Sequence, residues 1–124
     1  MGEGDKELKN CSLIVSVYNE EASLEKFFEA CSSVYKKISE EYKPELLFVD
    51  DGSVDRSPII LDRIATEHQE WVRVIHFSRN FGHEAAMTAG LDYAKGDFLI
   101  FMDADLQHSP ELIPEILEKY REGF

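Results

Sequence analysis

The chain has 124 residues, with 13 Lys and Arg against 25 Asp and Glu, a formal net charge of −12. That is the length of one domain, and 44% hydrophobic with 31% charged residues excludes wholesale disorder. The acidic balance excludes the electrostatic footprint of a nucleic-acid binder and a basic patch for anionic lipid.

In chain order, residues 1–11 are expected to form a flexible tail ahead of a domain over 12–124. Ser12-Leu13-Ile14-Val15-Ser16-Val17 is a short β-branched run that reads as a buried strand. Leu24, Phe27, Phe28, Cys31, Val34, Tyr35 and Ile38 then recur at i, i+3, i+4 and i+7, which predicts a helix to about residue 41. Cys31 falls on that apolar stripe, as a small buried hydrophobe. Pro44 is expected to lie in the connection. Leu46-Leu47-Phe48-Val49 reads as the second strand, and Ser57-Pro58 as the N-cap and first position of a helix whose buried side is expected to be Ile59, Ile60, Leu61, Ile64 and Ala65.

The third strand spans 72–77. An alanine-rich helix follows over 83–95, with Gly96 as its stop. Phe98 to Met102 is the fourth strand, and Ser109-Pro110-Glu111 starts a last helix. The fourth strand's apolar run is far short of the roughly 20 residues that span a bilayer. Met1-Gly2-Glu3-Gly4-Asp5 has no secretory character, and Cys11 and Cys31 show neither a disulfide framework nor zinc spacing. A soluble, cytoplasmic domain is expected. Strands alternating with helices predict βαβ units, an α/β fold with a mostly parallel sheet between two helical layers. Solid apolar strands fit burial on both faces.

In such a sheet, ligands bind beyond the carboxyl ends of the strands. Those ends carry Tyr18-Asn19-Glu20-Glu21, Asp50-Asp51-Gly52-Ser53, Ser78-Arg79-Asn80 and Asp103-Ala104-Asp105. Like charges gathered on one edge cost free energy unless a cation neutralises them, and Mg²⁺ or Mn²⁺ with oxygen ligands is the simplest candidate. With carboxylates and a metal but no Walker-type loop, a nucleotide diphosphate clamped through its metal is the expected ligand.

Each motif also has a plainer reading. Asp-x-Asp occurs by chance in acidic chains, and Asp50 to Ser53 also makes a turn with an Asx cap. Glu20 and Glu21 suit the first turn of a helix, and Arg79 suits the surface or a pairing with one of the acids. His76, His83 and His108 lie near this edge in sequence, as metal ligands or as hydrogen-bonded or exposed histidines.

Taken together, the segments Val17 to Glu21, Phe48 to Asp55 and Asp103-Ala104-Asp105-Leu106-Gln107 resemble the family 2 glycosyltransferases, over essentially all of 12–124. The resemblance implies the GT-A fold, a Rossmann-like three-layer sandwich, of which this chain holds the nucleotide-binding half. Ser78-Arg79-Asn80-Phe81-Gly82-His83 and the following Ala85 to Asp92 look like the polyprenyl-phosphate branch, closer to bactoprenol glucosyltransferases than to dolichol-phosphate mannose synthases. What the resemblance implies is metal-dependent, inverting transfer of a sugar from a UDP- or GDP-linked donor to a lipid phosphate, at the cytoplasmic face of the membrane. It would set Ser16, Tyr18, Glu20, one or both of Asp50 and Asp51, and Arg79 around the nucleotide. Asp103 and Ala104 would contact the nucleotide sugar, and Asp105 with Gln107, beside Asp103, would hold Mg²⁺ or Mn²⁺.

The chain departs from the family pattern at Ser16, where proline is common, and at His108-Ser109-Pro110, where Asp-Pro-Pro is common. The family's domain also continues well beyond this length, and the continuation carries the acceptor site and the base. The resemblance therefore puts the acceptor base beyond Phe124 and assigns no catalytic residue within the chain. The chain is expected to be an N-terminal fragment that binds donor weakly, turns over nothing, and self-associates through uncovered apolar surface. A nucleotidyltransferase is disfavoured because the segment after the first strand is not a Gly-rich basic loop. A non-catalytic assembly module would not discriminate UDP from GDP. A dinucleotide oxidoreductase lacks its Gly-x-Gly-x-x-Gly.

Overall fold

The computed structural model describes residues 8–105 and 109–121. Strands and helices alternate as β1 (Lys9–Val17), α1 (Leu24–Ile38), β2 (Tyr42–Asp50), α2 (Ser57–Glu67), β3 (Val72–His76), α3 (His83–Tyr93) and β4 (Phe98–Asp103). A 3-10 turn (Pro110–Leu112) then runs into α4 (Ile113–Arg121). The four strands form one sheet in the order β3-β2-β1-β4, and every pairing is parallel. This is the α/β architecture that the alternation of patterns predicts.

The sheet divides the core in two. Cys11, Leu13, Val15 and Val17 of β1 point to one face, where they pack with Phe27, Phe28, Cys31 and Val34 of α1, Leu61 and Ile64 of α2, and Ile113 and Leu117 of α4. Ile14, Leu47 and Val49 point to the other face, against Ala86 of α3. The chain therefore winds from β1 to β3 with its helices on one side, then returns to β4 with α3 on the other. Right-handed crossovers require that change of side when the winding direction reverses. Both cysteines are fully buried, and burial pushes each thiol up to about 12.

Several boundaries differ from the sequence reading. β1 starts at Lys9, so Lys9, Asn10 and Cys11, expected in the tail, pair with Tyr42, Lys43 and Pro44. Asn10 is fixed there by Asp97, whose N–H donates to its carbonyl at 2.7 Å and whose Oδ2 accepts its N–H at 2.9 Å. Pro44 lies inside β2, not in a connection. The Leu46 N–H points toward the β3 side and donates to the Trp71 carbonyl at 2.7 Å. Two residues earlier, the Pro44 nitrogen faces the same side, and β3 begins only opposite Leu46. Its missing N–H therefore removes no ladder bond.

Gly96 is not the cap of α3, which ends at Tyr93 with Ala94 in extended conformation. Gly96 is instead required by close approach: a Cβ there would lie 2.6 Å from the Ser12 nitrogen. Ser109 does cap the last helical segment, its Oγ accepting the Glu111 N–H at 3.3 Å.

Candidate functional site

The strand order places a topological switch point between β1 and β4, because the connections leaving them run to opposite faces. A crevice opens at such a point beyond the strand ends. Here Ser16 is the register partner of Asp103 across the two strands. Above this pair lies a cleft of about 410 Å³ whose walls include Ser16, Tyr18, Glu20, Asp51, Asp103 and Asp105. These six were all singled out in the sequence, from segments as far apart as 16 and 105. The same walls include His83, one of the histidines expected near this edge, together with Asn80 of the third strand exit and Gly82, to which the sequence assigns no ligand contact. Within that segment Arg79 is the residue expected around the nucleotide. The available signal was Gly82, ahead of an alanine-rich helix, and it holds φ at 106°, where a side chain is disfavoured.

The four strand exits are tied to one another in a ring. Asn19, itself at φ 54°, donates its N–H to Ser53 Oγ at 2.9 Å and accepts the Val54 N–H on Oδ1 at 2.9 Å. The Glu20 N–H donates to Ser57 Oγ at 2.9 Å, and the Glu21 N–H to Asp55 Oδ2 at 3.2 Å. Ser57 thus begins α2 without capping it. Its hydroxyl oxygen is engaged by the neighbouring exit, and its own N–H goes to Asp55 Oδ1 at 2.8 Å. Slight burial works against the Asp55 charge, but these N–H groups outweigh it and hold the carboxyl below its ordinary range. The ring closes at Ser23, whose Oγ lies 3.0 Å from both the Ala104 carbonyl and Glu20 Oε2. One hydroxyl proton serves one of these acceptors at a time.

Asp50 and Asp51 are neighbours with separate tasks. Asp51 is 3% exposed and its carboxylate accepts the N–H of Phe81 at 2.8 Å, that of Gly82 at 3.0 Å and the Asn80 amide at 3.1 Å. It lines the cleft while holding the start of α3 in place. Asp50, 2% exposed, lies outside the cleft walls. Its Oδ1 accepts the Ser53 N–H at 3.0 Å and its Oδ2 meets His76 Nδ1 at 2.8 Å.

Two other expected contacts also lie outside the walls. Arg79 is exposed and sits 4.7 Å over the Phe81 ring centroid. Ala104 is buried, with its N–H on the Ser16 carbonyl at 3.2 Å and its own carbonyl facing Ser23.

Asp103 and Asp105 bring two carboxylates to the exit of β4. Asp103 Oδ1 lies 2.9 Å from His83 Nε2, at the first residue of α3. Two carboxylates are what Mg²⁺ or Mn²⁺ takes from a protein when phosphate oxygens and water complete its shell, so the donor set fits such an ion. Among the described residues no group of three His, Cys, Asp or Glu side chains converges on one point. Gln107 and His108 lie outside the described residues.

Residues 12–124 match the model of glycosyl transferase family 2. The chain is 48% identical over 116 residues to the uncharacterised glycosyltransferase YkcC of Bacillus subtilis, covering 91% of this chain and 34% of that protein. It is 37% identical over 119 residues to the undecaprenyl-phosphate 4-deoxy-4-formamido-L-arabinose transferase of Photorhabdus laumondii, covering 96% and 36%. The chain thus spans about a third of the length of the curated relatives it matches. Among solved structures, the mannosyltransferase PcManGT from Pyrobaculum calidifontis, in complex with GDP-Man and Mn²⁺, superposes with a TM-score of 0.67 at 24% identity, over 81% of this chain and 28% of that one. With the parallel sheet, the acidic cleft at its switch point and the family match in agreement, the chain belongs to glycosyl transferase family 2.

Proposed function

We propose that this chain supplies the donor and metal site of an enzyme that transfers a sugar from a UDP- or GDP-linked donor to a polyprenyl phosphate with inversion. The observation that carries this reading is the single cleft that gathers Ser16, Tyr18, Glu20, Asp51, Asp103 and Asp105 at the switch point. The name of the Photorhabdus relative, an undecaprenyl-phosphate transferase, supports the acceptor class.

In this reading Tyr18, Glu20 and Asp51 surround the base and ribose, and Ser16 lies at the floor beside Asp103. Asp105 and Gln107, with Asp103, would hold Mg²⁺ or Mn²⁺, which when bound would neutralise negative charge developing on the departing diphosphate. An acceptor phosphate oxygen attacks the anomeric carbon, a new C–O bond forms, and the bond from that carbon to the diphosphate oxygen breaks. A lipid phosphate is already ionised near neutral pH, so it needs less from a general base than an alcohol would. Any such base comes from beyond Phe124. Asp50 and Arg79 act from outside the cleft, on the turn after β2 and the loop after β3.

Calorimetric titration of the protein with UDP, GDP and NAD, each with and without Mn²⁺, tests this. Binding of UDP or GDP that depends on Mn²⁺, and is lost in Asp105→Ala, is the expected result. Binding that is indifferent to Mn²⁺ or to Asp105→Ala would overturn the metal assignment, and preference for NAD would overturn the donor class.

A further inference from the structure

His76 lies outside the cleft, at the end of an edge strand, with a carboxylate on each ring nitrogen. Its Nδ1 is 2.8 Å from Asp50 Oδ2 and its Nε2 is 2.7 Å from Asp62 Oδ1. Ionised carboxylates only accept, so both bonds exist together only when both nitrogens are protonated. We propose that His76 is a positioning residue for the cleft, pinning the end of β2 to α2 across the turn between them, and that it holds both ends only as the imidazolium.

The turn it spans is the one the cleft depends on. Residues 51–56 carry Asp51 in the wall, Gly52 against the backbone of Arg79 and Asn80, and Ser53, Val54 and Asp55 bound to the exit of β1. One end of the turn is anchored by Asp50, the other by α2. Loosening α2 is therefore transmitted to Asp51 and Glu20 through bonds already in place.

The charged groups acting on His76 are Asp62 from α2 and Asp50 from β2. Arg63 of α2 is turned to Glu25 of α1 at 3.1 Å, and Asp55 is turned to the N–H groups of Ser57 and Glu21. Burial pulls the imidazole down, but the bonds to Asp62 and Asp50 outweigh it and raise it above the usual 6.5. The Asp50 side chain is 2% exposed and that of Asp62 is 65% exposed. On deprotonation the remaining proton stays on Nδ1 for the buried carboxylate, and the Asp62 bond is lost. A raised folded-state value means the contribution is full below 6.5 and is lost as pH rises through the folded value.

This inference rests on the donor reading above, and its test separates the two. The affinities of wild type and His76→Gln for UDP and GDP with Mn²⁺ are measured from about pH 5.5 to about pH 8.5, with the His76 ring followed by NMR. The ratio of the two affinities cancels ionisation of the nucleotide itself. It should favour wild type by roughly three- to tenfold at the acid end, the scale of one ordinary hydrogen bond passed on to the cleft, and fall toward unity as the ring loses its proton.

Asp62→Asn, which keeps an acceptor without the charge, should move that fall to lower pH. A ratio that stays constant while the ring titrates would overturn the proposal. If neither nucleotide binds wild type at any pH, the donor reading fails. The pin then stands or falls on thermal unfolding of the unliganded protein: the stability lead of wild type over His76→Gln must shrink as pH rises, and a constant lead overturns it.

Discussion

A Cβ on Gly52 would lie 2.1 Å from the carbonyl carbon of Arg79 and 2.4 Å from the nitrogen of Asn80. The turn after β2 is stacked on the backbone that leaves β3, and only a residue without a side chain allows the contact. Gly52 also sits at φ 73°, so Gly52→Ala adds backbone strain to a clash that no rotamer relieves. It should cost at least about 2 kcal/mol in urea unfolding and weaken nucleotide binding. Gly82, at φ 106°, has nothing within 4 Å of a built Cβ. Gly82→Ala should therefore cost less, by about 1 kcal/mol or more, because strain is its only penalty. Equal losses would remove the packing argument for Gly52.

Asp51→Ala should be among the most damaging single changes at the strand exits. The carboxylate accepts N–H groups from Phe81 and Gly82 and the amide of Asn80, all from one short segment. Removing it orphans those donors together, at a cost of about 2 to 4 kcal/mol, and frees the start of α3. Asp51→Asn keeps the shape but sets an NH₂ against N–H groups, so it should recover little. Hydrogen exchange of the Phe81 and Gly82 amides reads this directly. Protection unchanged in Asp51→Ala would show that the loop is held by something else.

The strands and helices were legible because their patterns are unambiguous: solid apolar runs such as Leu46 to Val49, and the α1 stripe from Leu24 to Ile38. The gathering of the candidate residues was legible too, since a parallel sheet sends every strand exit to one edge. What the sequence could not show was partnership. Asp50 and Asp51 look alike in the chain, yet one faces His76, 26 residues on, and the other holds the 80–82 loop. Pro44 reads as part of a connection because the pattern does not reveal that β3 starts late and leaves its nitrogen unopposed. Ser57 reads as a cap because its true donor, the Glu20 N–H, comes from another exit.

At the opposite edge of the sheet, Glu45 predicts the acid limb of stability. Its carboxylate accepts the Ser12 hydroxyl at 2.6 Å, the Lys95 N–H at 2.6 Å and the Arg73 guanidinium at 2.7 Å. Burial pushes its pKa up, but the Lys95, Ser12 and Arg73 contacts outweigh that and lower it below 4.5. Its contribution is therefore present above 4.5 and lost as pH falls through the lower folded value. Thermal unfolding should show a drop below that pH which is shallower in Glu45→Gln. An identical acid limb in the variant would assign the drop to other carboxylates.

Gly90→Ala tests the second core, with an unusual sign. A glycine-to-alanine change inside a helix ordinarily gains about 1 kcal/mol. Here the new Cβ would lie 2.3 Å from Ile14 Cγ2, and Ile14 is 2% exposed in an interior strand with little room to yield. Gly90→Ala should therefore destabilise by about 1 to 3 kcal/mol, as overpacking does. Ile14→Ala alone should cost about 2 to 5 kcal/mol by opening a cavity. In that background the Gly90 methyl group enters empty space, and Gly90→Ala should turn neutral or favourable. A urea-unfolding double-mutant cycle should thus show a coupling of about 1 to 3 kcal/mol between the two sites. Additive losses would mean that α3 does not approach β1 this closely.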